Sequence, residues 1–271
     1  REDQMMANVG KDALVNAGFN VASMVVGQYY MNEINVKLEN IQHDIDSISN
    51  FLDTQYKGKL IYIVSKIEEI LENREDILTN NFSKDKRYDE ISRAEESCVE
   101  LLTQANVSIA ELLRDELNYK NYERNTKDIQ KWLFRQQILT RLLAEIGDLR
   151  YVLADGNETS KSSHSQYNKC LKHTNTVNEE LDKWHETYCK KFGINKDEHR
   201  RKATFFEIRK NTIGRINEEW AYNKLNENTE MMIDAQMNIN KLQPYNTDKL
   251  DKNIKILKYK GEYYNLPKSS E

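Results

Sequence analysis

The chain has 271 residues, enough for one large domain or two small ones, and its net charge of −4 offers no global field for nucleic acid. Charged residues make up 31% and hydrophobic residues 38%, a balance that suits helices which each bury one narrow stripe. The two prolines, Pro244 and Pro267, leave the first 243 residues without any, which argues against β-sandwiches and loop-rich folds.

From Ala13 to Asn32 run twenty uncharged residues, including Leu14, Val15, Phe19, Val21, Met24, Val25 and Val26. The length matches a membrane span, but Asn16, Asn20 and Gln28 interrupt it. Small residues four apart, such as Ser23 and Gly27, allow two helix backbones to come close. The expected state is an N-terminal helix buried against the rest; a conditional membrane segment is the sharper alternative.

Next comes a heptad seam: Met31, Ile34, Leu38, Ile41, Ile45, Ile48 and Leu52. The spacing slips through Tyr56 and Leu60, then resumes at Ile63, Ile67 and Ile70. Such a slip reads as a stutter, so one continuous helix is expected from Met31 to Leu71, with the other helices as its partners.

Asn80, Asn81 and Ser83 form a polar break, with Ser83 as the expected N-cap. A second helix carries Tyr88, Ile91, Glu95, Cys98, Leu102, Ala105, Ile109 and Leu112, with Glu95 its one polar seam position. Tyr119 to Thr126 reads as a connection or a helical bend. A third helix holds Ile129, Trp132, Leu133, Leu139, Leu142, Leu143, Ile146, Leu149 and Leu153, and stops at Asp155-Gly156-Asn157. Asn157 to Gln166 lacks large apolar residues and is expected to be an exposed, mobile linker.

A fourth helix shows Tyr167, Cys170, Thr174, Val177, Leu181, Trp184 and Tyr188, and Gly193 ends it. Asn195 with Glu198 resembles a capping box opening a fifth helix to Leu242, which Pro244 terminates. In the tail, Leu250, Ile254 and Leu257 with flanking lysines favour a short basic helix. A β-hairpin turning at Lys260-Gly261 is the alternative.

Candidate chemistry is sparse. Cys170 and His173, with His185 and Cys189, have zinc-like pair spacings, but zinc needs all four ligands within about 2.0–2.3 Å of one point. On one helix His173 and His185 stand roughly 18 Å apart, so no metal is expected. Asp182 and His185 make a single di-iron-type pair, too few for that site. Ser83-x-x-Lys86 lacks companion motifs, and Ser162-Ser163-His164 falls in the expected linker. No phosphate-cradling glycine loop is present, and no cofactor is expected. Lys190, Lys191, Arg200, Arg201, Lys202, Arg209 and Lys210 concentrate positive charge around one turn, a candidate contact for an anionic surface.

The expected fold is all-α: an elongated antiparallel bundle of about five long helices with coiled-coil-like packing. The expected organisation is an apolar helical segment at 1–32, the bundle at 33–243 and a basic tail at 244–271. A non-enzymatic interaction or scaffold protein, binding another protein or itself, is the function expected first. With its sheltered run Ala13 to Met31, the chain resembles in organisation the α-helical pore-forming toxins, which implies conditional membrane association as the alternative. A nucleic-acid or zinc-dependent function through residues 190–215 or the Cys/His pairs comes third. Three cysteines without partners implied by spacing favour the cytoplasm. Residues 1–31 make a poor signal peptide, but the start at Arg1 leaves a removed upstream segment, and so secretion, open.

Overall fold

The computed structural model describes residues 6–9, 21–47, 52–114, 116–204, 207, 222–227, 229–233, 254–259 and 262–265. The protein is mostly helical. Its contacts divide it into two compact units: Arg1–Leu101 with Ile138–Cys170 and Gln243–Glu271, and Leu102–Gln137 with Leu171–Leu242.

In the first unit, α1 (Val21–Ser47) and α2 (Thr54–Glu72) replace the single long helix expected from Met31 to Leu71. Most of the seam holds: Met31, Ile34, Leu38, Ile41, Ile45, Tyr56, Leu60, Ile63, Ile67 and Ile70 are buried, Leu52 is half-buried, and Ile48 lies outside the described residues. The chain breaks at the spacing slip because Asp53 caps a new helix, its carboxylate accepting the Tyr56 N–H at 2.9 Å. The two stripes then serve each other, and Gln42 donates to Glu68 across the pair. A short α3 (Arg74–Thr79) follows, and its Leu78 lies over Gly27 of α1. A Cβ at Gly27 would come within 2.8 Å of Leu78 Cδ2, so this is the close approach that the small residues allow.

Helix α4 (Asn81–Leu112) is capped by Asn80, not Ser83: Asn80 Oδ1 accepts from Phe82 N at 3.0 Å. Helix α5 (Tyr119–Leu153) includes the stretch expected as a connection or bend, because Asn118 Oδ1 accepts from Asn121 N at 2.9 Å and starts the helix early. From Ile129 to Leu153 no residue of α5 is exposed, although the stretch carries Arg135, Glu145, Asp148 and Arg150. A helix sheathed all round must pair its charges internally. It ends as expected, with Asp155 at φ 48° and Gly156 at φ 84°.

The expected mobile linker is ordered. Residues 157–166 contain α6 (Ser160–Ser163), and Ser160, Ser163 and His164 are buried. Thr159 caps α6, and Ser163 Oγ donates to Glu158 Oε2 at 2.7 Å. Small polar side chains are held here by hydrogen bonds in place of apolar contact.

Helix α7 (Ser165–Phe192) carries the expected fourth seam, with Tyr167, Thr174, Val177, Leu181, Trp184 and Tyr188 buried. Gly193, at φ 63°, ends it. The expected fifth helix does not follow. Strands β2 (Ile194–Asn195), β3 (Arg200–Lys202) and β4 (Tyr222–Lys224) form an antiparallel sheet in that order. Asn195 does cap, accepting from Asp197 N and Glu198 N at 3.1 and 3.3 Å, but His199 at φ 48° turns the chain back into β3. Of the expected fifth-helix seam, Ile233 lies buried in a helical stretch at 229–233 and Met231 is exposed; Phe205, Ile208, Ile213, Ile216, Trp220 and Met237 fall outside the described residues. Ile129, Leu133, Leu181, Trp184, Met232 and Ile233 share the core of the second unit.

The tail forms the hairpin, not the favoured helix. Strands β5 (Ile254–Tyr259) and β6 (Glu262–Asn265) pair from Tyr259↔Glu262 to Ile256↔Asn265. Strand β1 (Met6–Val9) adds to the other edge, with Met6 opposite Leu257. Alternation in Ile254-Lys-Ile-Leu-Lys-Tyr suits a half-buried strand as well as a helix, and pairing with a distant strand decides it.

Candidate functional site

The densest polar chemistry of the first unit surrounds Arg150. Its Nη1 donates to Glu95 Oε2 at 2.6 Å, and its Nη2 to Tyr88 OH at 2.8 Å and Glu158 Oε1 at 2.9 Å. The Tyr88 hydroxyl in turn donates to Glu158 Oε1 at 2.6 Å. Burial opposes the guanidinium charge, but Tyr88, Glu95 and Glu158 outweigh it and raise the Arg150 pKa. Burial pushes the Glu95 carboxyl up, against Arg150. Burial also acts on Glu158, yet hydrogen bonds from Tyr88 and Ser163, with Arg150, hold it below the ordinary carboxylate range. Beside this network opens a cavity of about 500 Å³ lined by Lys84, Asp85, Tyr88, Asp155, Asn157 and Glu158. Buried Lys84 closes on Asp155 at 3.1 Å. Ser163 is buried, so its pairing with Glu158 presents no nucleophile to solvent.

A second constellation in the same unit links α1, α5 and the residue after α6. Lys37 Nζ meets Glu145 at 2.9 Å and Asp148 at 3.3 Å. His164 Nε2 stands 3.1 Å from Asp148 Oδ1.

In the second unit His185 and Cys189 sit among aromatic rings. Tyr122 stacks on Trp184 with centroids 5.4 Å apart, and its hydroxyl lies 3.1 Å from His185 Nδ1. Cys189 Sγ lies 3.3 Å from His185 Nε2. A Cys–His pair at this distance invites comparison with an activated nucleophile, which requires a thiolate beside an imidazolium. The surroundings favour the opposite states. Burial, with Lys196 adding, lowers the His185 pKa to about 3, and burial raises the Cys189 thiol to about 11. Both stay neutral, as members of a packed core.

Cys170 and His173 share the unbroken α7 with His185 and Cys189. Among the described residues no group of three or more His, Cys, Asp or Glu side chains could hold a metal ion. Of the candidate anionic-surface residues, Lys190, Lys191 and Lys202 are exposed. Lys191 pairs with Glu116 at 3.1 Å, Arg200 pairs with Glu198, and buried Arg201 binds Glu207 at 2.6 Å. Arg201 also lies 3.9 Å over the Tyr119 ring. Arg209 and Lys210 lie outside the described residues, as do Leu14, Val15, Phe19 and the side chain of Val21. In α1, Met24 and Val25 are half-buried and Val26 is buried. Among the described residues no helix is long and apolar enough to cross a membrane.

Arg150, Lys37 and Tyr122 are invisible as site residues in the sequence, and His164 was weighed only as a base beside Ser162 and Ser163. The one usable signal was Glu95, a carboxylate on an apolar seam that demands a buried cation. No model of a known family matches the chain, and no curated protein or solved structure matches it either.

Proposed function

We propose that this is a non-enzymatic helical interaction protein whose outer helix faces bind a second copy of the chain or another protein. The observation that carries this is a set of large apolar side chains left in solvent on the helices of the first unit. Phe82 is 78% exposed, Val36 60% and Ile61 53%. Covering one such side chain fully contributes about 1.5–3 kcal/mol. The chemistry inside the helices supports the same view, because ionised groups are spent on one another and the buried cysteine–histidine pair stays neutral.

The helices are proposed to pack as an antiparallel bundle with coiled-coil-like seams. In the first unit Glu95 meets Arg150 while Cys98, further along α4, donates to Leu139 O, earlier on α5. In the second unit Asn106 of α4 accepts from Gln136 of α5 at 2.7 Å.

Light scattering over a range of concentrations, with native protein and with the double variant Phe82→Ser/Ile61→Ser, tests the interaction. Native protein gains mass with concentration. The variant folds equally well, since exposed changes rarely alter stability by more than about 0.5 kcal/mol, but it associates more weakly.

A further inference from the structure

We infer that the cavity beside the Arg150 network is a socket for a lysine of a second copy of the chain, supplied by the basic turn at residues 190–202. This rests on the proposed self-association and names the two faces that meet. The cavity, of about 500 Å³, opens between Lys84, Asp85 and Tyr88 of α4 and Asp155 and Glu158 beyond α5. Its inner groups are matched to one another. Lys84 is buried against Asp155 at 3.1 Å, and Glu158 accepts from Tyr88 and Arg150. Asp85, at the mouth, is exposed and has no hydrogen bond or ion pair among the described residues.

Phe82 stands three residues before Asp85 on α4, which makes the two neighbours on the helix surface. Its ring is the most exposed large apolar side chain among the described residues. An aromatic ring beside an unmatched carboxylate suits an alkyl stem that ends in a cation. The methylenes cover the ring, and the ammonium meets the carboxylate. An anion would be repelled by Asp85, Asp155 and Glu158, with Lys84 already engaged. A metal ion finds no group of three His, Cys, Asp or Glu side chains among the described residues.

The chain carries the complementary face. Residues 190–202 hold six basic and two acidic residues. Lys191, Arg200 and Arg201 are engaged by Glu116, Glu198 and Glu207. Lys190 and Lys202 are exposed and have no ion pair among the described residues. They share one end of the second unit. Lys190 lies in the last turn of α7, while Lys202 N donates to Gly193 O at 3.0 Å and the Lys202 stem lies against Gly193, where α7 ends. Exposed Asp197 opposes them and leaves this end positive. At a net charge of −4, two copies repel each other overall, so a specific self-contact needs the basic end of one against an acidic site of the other.

The test is light scattering at low salt, over a range of concentrations, on native protein, Asp85→Lys, Lys190→Glu/Lys202→Glu and the combination of all three changes. These positions are exposed, and each variant is first matched to native protein in thermal midpoint. Each separate variant needs about fivefold higher concentration to reach the same mean mass, the effect of one ion contact at a surface. The combination puts opposite charges back with the sides exchanged, and it recovers most of the loss. Should a reversal lower the thermal midpoint, Asp85→Asn and Lys190→Gln/Lys202→Gln keep the side-chain shape and still weaken association. Separate variants that associate like native protein, while Phe82→Ser/Ile61→Ser weakens it, would overturn the lysine socket and leave self-association standing. A combination no better than its parts would also overturn the socket. Native protein that stays monomeric throughout would overturn both.

Discussion

Acid should weaken the second unit through His185, and the amount follows from its surroundings. The imidazole is completely buried, between the Tyr122 hydroxyl and the Cys189 thiol. Burial is the main reason its pKa falls from 6.5 to about 3, and Lys196 adds to it. A histidine depressed in this way contributes stability that is fully present above the unfolded value and is lost as pH falls toward the folded value. Each unit within that window costs about 1.4 kcal/mol, so acidification from near pH 7 to about pH 4 removes about 3 kcal/mol. That is a large share of the ~5–15 kcal/mol that holds a typical domain together. Urea unfolding followed by tryptophan fluorescence reads this unit, because Trp184 stacks on Tyr122 beside His185. Carboxylates titrate over the same range, so native protein is compared with His185→Gln, which takes up no proton. The variant should lose about 3 kcal/mol less than native protein on acidification. Equal losses in both would refute the reasoning, and His185 would then be protonated within the fold.

Two further substitutions probe the first unit. Arg150→Met removes the cation shared by Glu95 and Glu158 and should cost about 3–5 kcal/mol near neutral pH, read as a lower thermal midpoint; a loss under about 1 kcal/mol would mean that the network is solvated. Gly147→Ala drives a methyl group into the His164 ring and should cost about 1–3 kcal/mol, with faster exchange at 157–165 before any global change; unchanged exchange would mean that the ring does not rest on Gly147.

Helical seams were legible because burial and spacing agree along each helix, as at Met31, Ile34, Leu38, Ile41 and Ile45. The break before Asp53 was not, because a stutter and a new helix leave the same spacing. Asp53, followed three residues later by a Tyr56 N–H that needs an acceptor, was the sign of a restart. Asn195 does accept from two backbone N–H groups, but that turn opens no helix, because one hydrogen-bonded turn does not commit the chain when β3 can pair with Tyr222–Lys224. The order of 157–165 was illegible for a different reason. Composition describes what a segment can bury by itself, whereas Ser163 and His164 are held by Glu158 and by Asp148 on α5. The charged constellations share this character, since Glu95 announces a need and nothing local names Arg150 as its answer.

The most direct test of the proposed interaction is the mass of the purified protein over a wide concentration range, alone and as Phe82→Ser/Ile61→Ser. Native protein should rise above its monomer mass of 32.0 kDa, with the variant shifted to at least about tenfold higher concentration, since each 1.4 kcal/mol of lost apolar contact is a factor of ten. A native mass fixed at 32.0 kDa throughout, or a variant that associates as strongly as native protein, would contradict self-association through these exposed side chains.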